Sequence, residues 1–260
     1  MSAPLVVITG TASGIGRALA LAYAARGARL ALCDIDARGL ATVASRIATP
    51  CHAAALDIAD APAVETFAQA ILATAGVPDI LVNNAGIALL KPFLQTGAAE
   101  WQRVIDVNLG GAVHVTRAFL PAMLAGGGAR SIVNIASLAG LVAGRDLPAY
   151  SAGKHALVGF NDALALELAG SNVAVTLACP GLVKTGILDA LDDPRKAVWQ
   201  AFAAKYGTPP ESIARAIIAA TARKKARVHP GRGALFWPAL QRLSPALTRR
   251  LILTLMSRQS

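Results

Sequence analysis

Acidic residues run out long before the chain does. Residues 212–260 contain ten Lys or Arg and no Asp or Glu, while the first 211 residues hold fifteen of each sign, so the net charge of +10 belongs wholly to the tail. Cysteine is scarce as well. Cys33, Cys51 and Cys179 show neither a CxxC nor a paired spacing, and the four histidines form no cluster with them, which argues against a disulfide framework and a Cys/His metal site. A reduced, cytoplasmic protein without a metal is the expectation. Charged residues make up only 15% of the chain against 55% hydrophobic, which excludes a disordered chain and points to a sheet buried on both faces. No apolar run approaches the roughly 18 residues of a spanning helix. The opening "MSAPLVVITG" lacks a basic leader region and reads as a first strand. The basic residues belong to no recognised nucleic-acid module, so nucleic acid is not an expected partner.

What the chain does have is alternation. Apolar runs of strand length at 5–9, 28–34, 51–56, 79–83, 131–136, 173–178 and 226–228 are separated by alanine- and leucine-rich segments of helical period, several ended by glycine. Strand and helix in this order predict an α/β fold, a Rossmann-like doubly wound parallel sheet of seven strands with helices on both faces. One catalytic domain over residues 1–230 and a helical basic extension over 231–260 follow. Ligands of such sheets bind beyond the carboxyl ends of the strands, so the loops after the strands are where chemistry is sought.

After the first strand comes "TGTASGIG", Thr9 to Gly16. Gly10, Gly14 and Gly16 permit a tight turn, close approach of backbone to a pyrophosphate, and close packing of helix on strand, with phosphates at the helix N-terminus. Strand-to-helix turns also hold glycines for steric reasons alone. Eighteen residues past Gly16, Asp34 ends the second strand, where an acid accepts hydrogen bonds from ribose hydroxyls and repels a 2′-phosphate. That favours NAD over NADP, although a plain strand-end acid is the alternative, with Asp36 the better cap for the next helix. In "YSAGK", Tyr150 and Lys154 stand at i and i+4 and share a helix face. A nearby ammonium favours a phenolate and would lower the tyrosine pKa; a surface pair at this spacing is the commoner meaning of the motif alone.

Taken together, "TGTASGIG", "NNAG" (83–86), "VNLGG" (107–111), Ser137 with "YSAGK" thirteen residues on, and "PGLVKT" (180–185) resemble the short-chain dehydrogenase/reductase family in order and spacing, over roughly residues 5–185. The resemblance implies an NAD(P)-dependent oxidoreductase acting on CH–OH groups. Tyr150 would be the general acid/base, Lys154 would lower its pKa and bond the nicotinamide ribose, Ser137 would bond the substrate oxygen, and Asn108 would fix a water linking the lysine to solvent. Gly10, Ser13, Gly14, Ile15 and Gly16 would cradle the dinucleotide. Asp57 and Ile58 would meet the adenine, and Asn84, Ala85 and Gly86 would lie beside the adenosine ribose. Pro180, Gly181, Val183 and Thr185 would hold the carboxamide end. Asn134 and Asn161 read as structural and the four histidines as incidental. An NADPH-dependent carbonyl reductase and a non-catalytic dinucleotide-sensing protein are the rival readings.

Between Thr185 and Glu211 lies a stretch corresponding to the family's variable substrate loop, about 186–210. Ile187, Leu188, Leu191, Val198, Trp199, Phe202 and Tyr206, with Leu138, Leu141, Val142 and Leu147, predict an apolar pocket and hence a lipophilic secondary alcohol or ketone. A homodimer or homotetramer is the expected assembly. In the tail, Ser244 as N-cap and Pro245 at the first helical position predict an amphipathic helix to about Ser257. It reads first as a subunit interface with a solvated basic rim, and second as a contact with a membrane surface.

Overall fold

The computed structural model describes residues 3–186 and 196–257. Its core is a seven-stranded sheet in the order β3-β2-β1-β4-β5-β6-β7, built from β1 (Leu5–Thr9), β2 (Arg29–Asp34), β3 (Cys51–Ala55), β4 (Ile80–Asn83), β5 (Arg130–Ile135), β6 (Val173–Ala178) and β7 (Arg227–Val228). Every neighbouring pair is parallel. All seven strands predicted from the sequence are present.

Successive residues of a strand face opposite sides of the sheet, and β1 shows how both sides come to be apolar. Leu5 and Val7 enter one layer, Val6 and Ile8 the other, all without solvent exposure. The first layer receives α3 (Ala61–Thr74), α5 (Ala112–Ala125) and α6 (Pro148–Glu167) through Phe67, Ile71, Phe119, Met123 and Leu164. Phe67 and Phe119 meet edge to face at 6.2 Å, the arrangement that ring quadrupoles favour. The second layer receives α1 (Gly14–Ala24), α2 (Ala37–Ala44) and α8 (Pro210–Ala222) through Leu19, Leu40, Ile213 and Ile217. Asp36 caps α2 by accepting from the amides of Arg38 and Gly39, and Asp60 caps α3 through the amide of Ala63.

Two features position the site. The chain winds outward from β1 to β3 and then returns to lay β4 on the other side of β1, pairing Val6 with Ile80 and Ile8 with Val82. The loops leaving β1 and β4 therefore diverge and leave a crevice at the strands' carboxyl ends. Further on, α4 (Ala98–Ile105) runs into α5 through a π-turn at Asp106–Gly111, where the helix widens by one residue. Helical periodicity gave no hint of that turn.

After α7 (Lys196–Tyr206), α8 and β7, the chain forms α9 (Phe236–Leu243) and α10 (Pro245–Ser257). The predicted cap of α10 is present: Ser244 Oγ accepts from the amide of Leu247 at 3.4 Å. The separate helix α9 was not foreseen. Among the described residues these two helices pack chiefly on each other, and no helix is long and apolar enough to cross a membrane.

Candidate active site

A cleft of about 540 Å³ opens at the β1/β4 switch point. Its floor is the loop after β1. Gly10 and Gly14 have φ of +70° and +56°, a region that side chains disfavour. A Cβ on Gly10 would stand 2.6 Å from the backbone of Ala85, and one on Gly14 would press on Thr185 at 3.1 Å. Gly10, Ser13, Gly14 and Ile15 line the cleft, which places the N-terminus of α1 at its edge, a fit for the phosphates of a dinucleotide. Asn84 ties the two diverging loops together, its amide nitrogen donating to the carbonyls of Thr9 at 2.9 Å and Gly10 at 2.8 Å.

Asp34, at the end of β2, accepts from the amides of Ala12 at 2.8 Å and Asp36 at 2.9 Å. Two contacts leave lone pairs on a carboxylate for further donors, and Asp34 lines the cleft. Beyond it stand Asp57 and Ile58, also lining. Burial pushes the Asp57 carboxyl up, but hydrogen bonds from Arg103 and from the amide of Ala59, with the guanidinium charge added, leave it below the usual carboxylate value. The Arg103–Asp57 contact is 2.7 Å.

At the other end, Ser137 follows β5 while Tyr150 and Lys154 project from the first turns of α6, all three lining the cleft. Lys154 is buried and donates from Nζ to the carbonyl of Ile135 at 3.0 Å. Burial drops its pKa from 10.5 to about 8. The expected lowering of the Tyr150 pKa by Lys154 is not found. Burial raises the phenol above 10, opposed by a hydrogen bond with Ser137. Lys154 Nζ lies 6.0 Å from the tyrosine ring centroid, with one of its protons spent on Ile135, and adds no resolved pull. A tyrosine held protonated at neutral pH, a serine bonded to it and a buried lysine behind are chemically suited to exchanging a proton.

The chain matches the sequence model of the short chain dehydrogenases over residues 4–196. It belongs to the short-chain dehydrogenase family. "Probable oxidoreductase EphD" of Mycobacterium tuberculosis is 39% identical over 237 residues, covering 85% of this chain but 40% of that protein; the chain therefore spans about two-fifths of the length of that relative. D-threitol dehydrogenase of Mycolicibacterium smegmatis is 41% identical over 196 residues, 74% of this chain and 75% of that one. The solved structure of a short-chain dehydrogenase/reductase from Burkholderia phymatum, in complex with NAD, superposes with a TM-score of 0.81 at 29% identity, over 87% of this chain and 88% of that chain.

Within this member of the short-chain dehydrogenase family, most residues singled out by sequence come together. Gly10, Ser13, Gly14, Ile15, Asp34, Asp57, Ile58, the 84–86 loop, Ser137, Tyr150, Lys154, Pro180, Gly181, Val183 and Thr185 share one cleft. Gly16 does not line it. A Cβ there would fall 2.0 Å from the carbonyl oxygen of Gly10, so this glycine serves the packing of α1 on the β1 loop. Asn108, 1% exposed, stands behind the wall in the π-turn, donating to the carbonyl of Ile87 at 2.9 Å and accepting from its amide at 3.0 Å. It approaches the lysine across Gly86, whose Cβ would meet Asn108 Oδ1 at 2.7 Å and Lys154 Nζ at 3.1 Å. Asn83, Asn134 and Asn161 form a buried chain of amide hydrogen bonds, as the structural reading requires.

The apolar pocket differs from expectation. Leu138, Val142 and Leu147 line the cleft, joined by Ile87 and Leu90, which sequence reasoning missed. Leu141 instead packs into the core beneath. Phe202 and Tyr206, one turn apart on α7, stack on each other with centroids 4.8 Å apart, and neither they nor Val198 line the cleft. Ile187, Leu188, Leu191 and the side chain of Trp199 lie outside the described residues. Arg103 was also missed; nothing in its local sequence pairs it with Asp57, 46 residues away.

Proposed function

We propose that the chain is an NAD-dependent oxidoreductase that moves a hydride between a lipophilic secondary alcohol, or the corresponding ketone, and a nicotinamide. The observation that carries the reading is the sharing of one cleft by a phosphate cradle at one end and Ser137, Tyr150 and Lys154 at the other. When bound, the dinucleotide supplies the hydride acceptor or donor. The chain's own residues do the rest. Gly10 and the start of α1 hold the pyrophosphate, and Asp34 accepts from the adenosine ribose hydroxyls and repels a 2′-phosphate. Asp57, oriented by Arg103, and Ile58 receive the adenine. Thr185 and the backbone at Val183 hold the carboxamide. Tyr150 gives its proton to the substrate oxygen in reduction and takes it in oxidation, Ser137 bonds that oxygen, and Lys154 offers the nicotinamide ribose its remaining protons. Asn108 positions the loop through Ile87.

The substrate class rests on Leu90, Leu138, Val142 and Leu147 around the reacting end. Among the described residues the charged groups lining the cleft are Asp34, Asp57, Arg103 and Lys154, and none is left over to grip a substrate carboxylate or phosphate. A reducing, cytoplasmic setting is part of the proposal, in keeping with three free cysteines, and so is a homo-oligomer, to be read by light scattering.

The deciding experiment titrates the protein with NAD and NADP, then follows reduced-nicotinamide absorbance across lipophilic secondary alcohols and polyols such as threitol. Turnover with NAD and lipophilic alcohols is expected, and Tyr150→Phe should lower kcat by about a hundredfold to ten-thousandfold, the usual range for removing a general acid/base. Turnover of polyols alone would replace the substrate class. Tight NAD binding without turnover on any alcohol would replace the enzyme by a dinucleotide sensor.

A further inference from the structure

The tail is not used by the cleft chemistry, yet its composition is the most biased in the chain. It leaves the carboxyl edge of β7, on the side where the cleft opens: the amide of Gly181, a cleft residue, donates to the carbonyl of Pro230 at 3.0 Å, and a Cβ on Gly181 would meet the carbonyl oxygen of Arg232 at 2.9 Å. From there α9 and α10 pack chiefly on each other, and α9 buries none of its residues. Phe236, Leu240 and Leu243 recur at one face of α9, with Phe236 57% and Leu243 84% exposed, and Leu235, Leu247 and Leu253 are exposed beside it. Arg242, Arg249 and Arg250 are exposed among these side chains and take part in no ion pair among the described residues.

We propose that the α9–α10 hairpin is a docking surface for an anionic phospholipid bilayer. Exposed leucines and a phenylalanine set among arginines, on short helices too small to span, suit a surface lying at the headgroup boundary, where apolar side chains bury and cations meet lipid phosphates. Charge separates this partner from the others. Residues 212–260 hold no acid and the first 211 residues are neutral in sum. Two copies meeting tail to tail would set arginine against arginine, and the neutral sum of the first 211 residues gives the hairpin no net acidic partner within the chain. A nucleic acid would use the arginines and leave the leucines and Phe236 in water. The hairpin's place beside Gly181 puts the bilayer on the side of the molecule where the cleft opens.

Flotation of the purified full chain with vesicles tests this. Binding is expected to vesicles holding about 30% phosphatidylglycerol in phosphatidylcholine and to be lost on phosphatidylcholine alone. Salt of about 1 M, where the Debye length is near 3 Å, should release the protein. Each arginine near the surface is worth roughly fivefold in partitioning, so Arg242→Glu, Arg249→Glu and Arg250→Glu together should lower it by at least about a hundredfold, while the three matching Lys substitutions keep it. Phe236→Ser with Leu243→Asp should abolish binding at any salt. Melting temperature and NAD affinity, followed in all variants, should stay as in the parent and so exclude misfolding. Absence of flotation, binding indifferent to the charge reversal, or a dimer that Leu243→Asp dissociates would overturn the proposal, the last by showing a subunit interface. Vesicle binding needs no substrate, so its failure leaves the oxidoreductase reading untouched.

Discussion

Lys154 carries a desolvation cost. Its ammonium is buried and donates to one carbonyl, and burial drops its pKa from 10.5 to about 8. The sign follows from proton binding: between these two values the unfolded chain holds the proton and the folded chain has released it, so this group's contribution to stability rises with pH across that window. Below pH 8 both states are charged and the penalty is full. Lys154→Met removes the penalty, so its melting temperature should exceed the parent's most at pH 7, the gap closing towards pH 10; a gap independent of pH would contradict the assignment. Asp34 makes a second residue-scale prediction. Asp34→Ser removes charge-assisted bonds worth about 1.5–3 kcal/mol and the repulsion of a 2′-phosphate. The ratio of kcat/KM for NAD to that for NADP should therefore fall by roughly tenfold to a hundredfold, as steady-state rates with both dinucleotides would report. Tyr150, Lys154 and Asp34 were legible because their partners are near in sequence or fixed by strand ends. Arg103, Ile87 and the burial that raises the Tyr150 pKa depend on how distant segments meet, and no local pattern carries that.

The strands were read almost to the residue, since continuous runs of Val, Leu, Ile and Ala bounded by glycine or aspartate have few other uses. The helices were legible as a class through their period. Asp36 was recognisable as a cap, while the π-turn at Asp106–Gly111 was not, because its apolar spacing continues that of the helices on either side. Phe119 on α5 is fully buried against Phe67, so Phe119→Ala should cost about 3–5 kcal/mol, seen as a lower urea midpoint with dinucleotide contacts intact. The aromatic pair on α7 shows the limit of composition as a guide. Phe202 and Tyr206 look like pocket residues, but at i and i+4 on α7 they pack on each other and do not line the cleft.

Across the whole molecule, charge and packing divide in the same place. Residues up to about 230 hold both core layers, whereas beyond them Ala234 and Thr248 are the described side chains that are fully buried. Trypsin should therefore cut first at Arg242, Arg249 or Arg250 and leave a fragment that retains the sheet and binds NAD; a first cut inside α1–α6 would show that the tail is integral to the domain. The seven-stranded parallel sheet was legible in the alternation of strand and helix, and the two-helix form of the tail was not, since α9 has too few residues for its period to stand out.

The pairing of β1 with β4 also dictates when the cleft comes into being. Strands β1 to β3 precede β4 in the chain, and they carry the glycine loop and Asp34 with them. Asn84, which closes the floor, and Ser137, Tyr150 and Lys154 all arrive on later segments. A chain that stops before β4 has half the cleft lining and lacks Asn84, Ser137, Tyr150 and Lys154. A dinucleotide bound as proposed would touch both halves of this cleft, and so would stabilise the fold only once they have met, as a late clamp rather than a template for assembly.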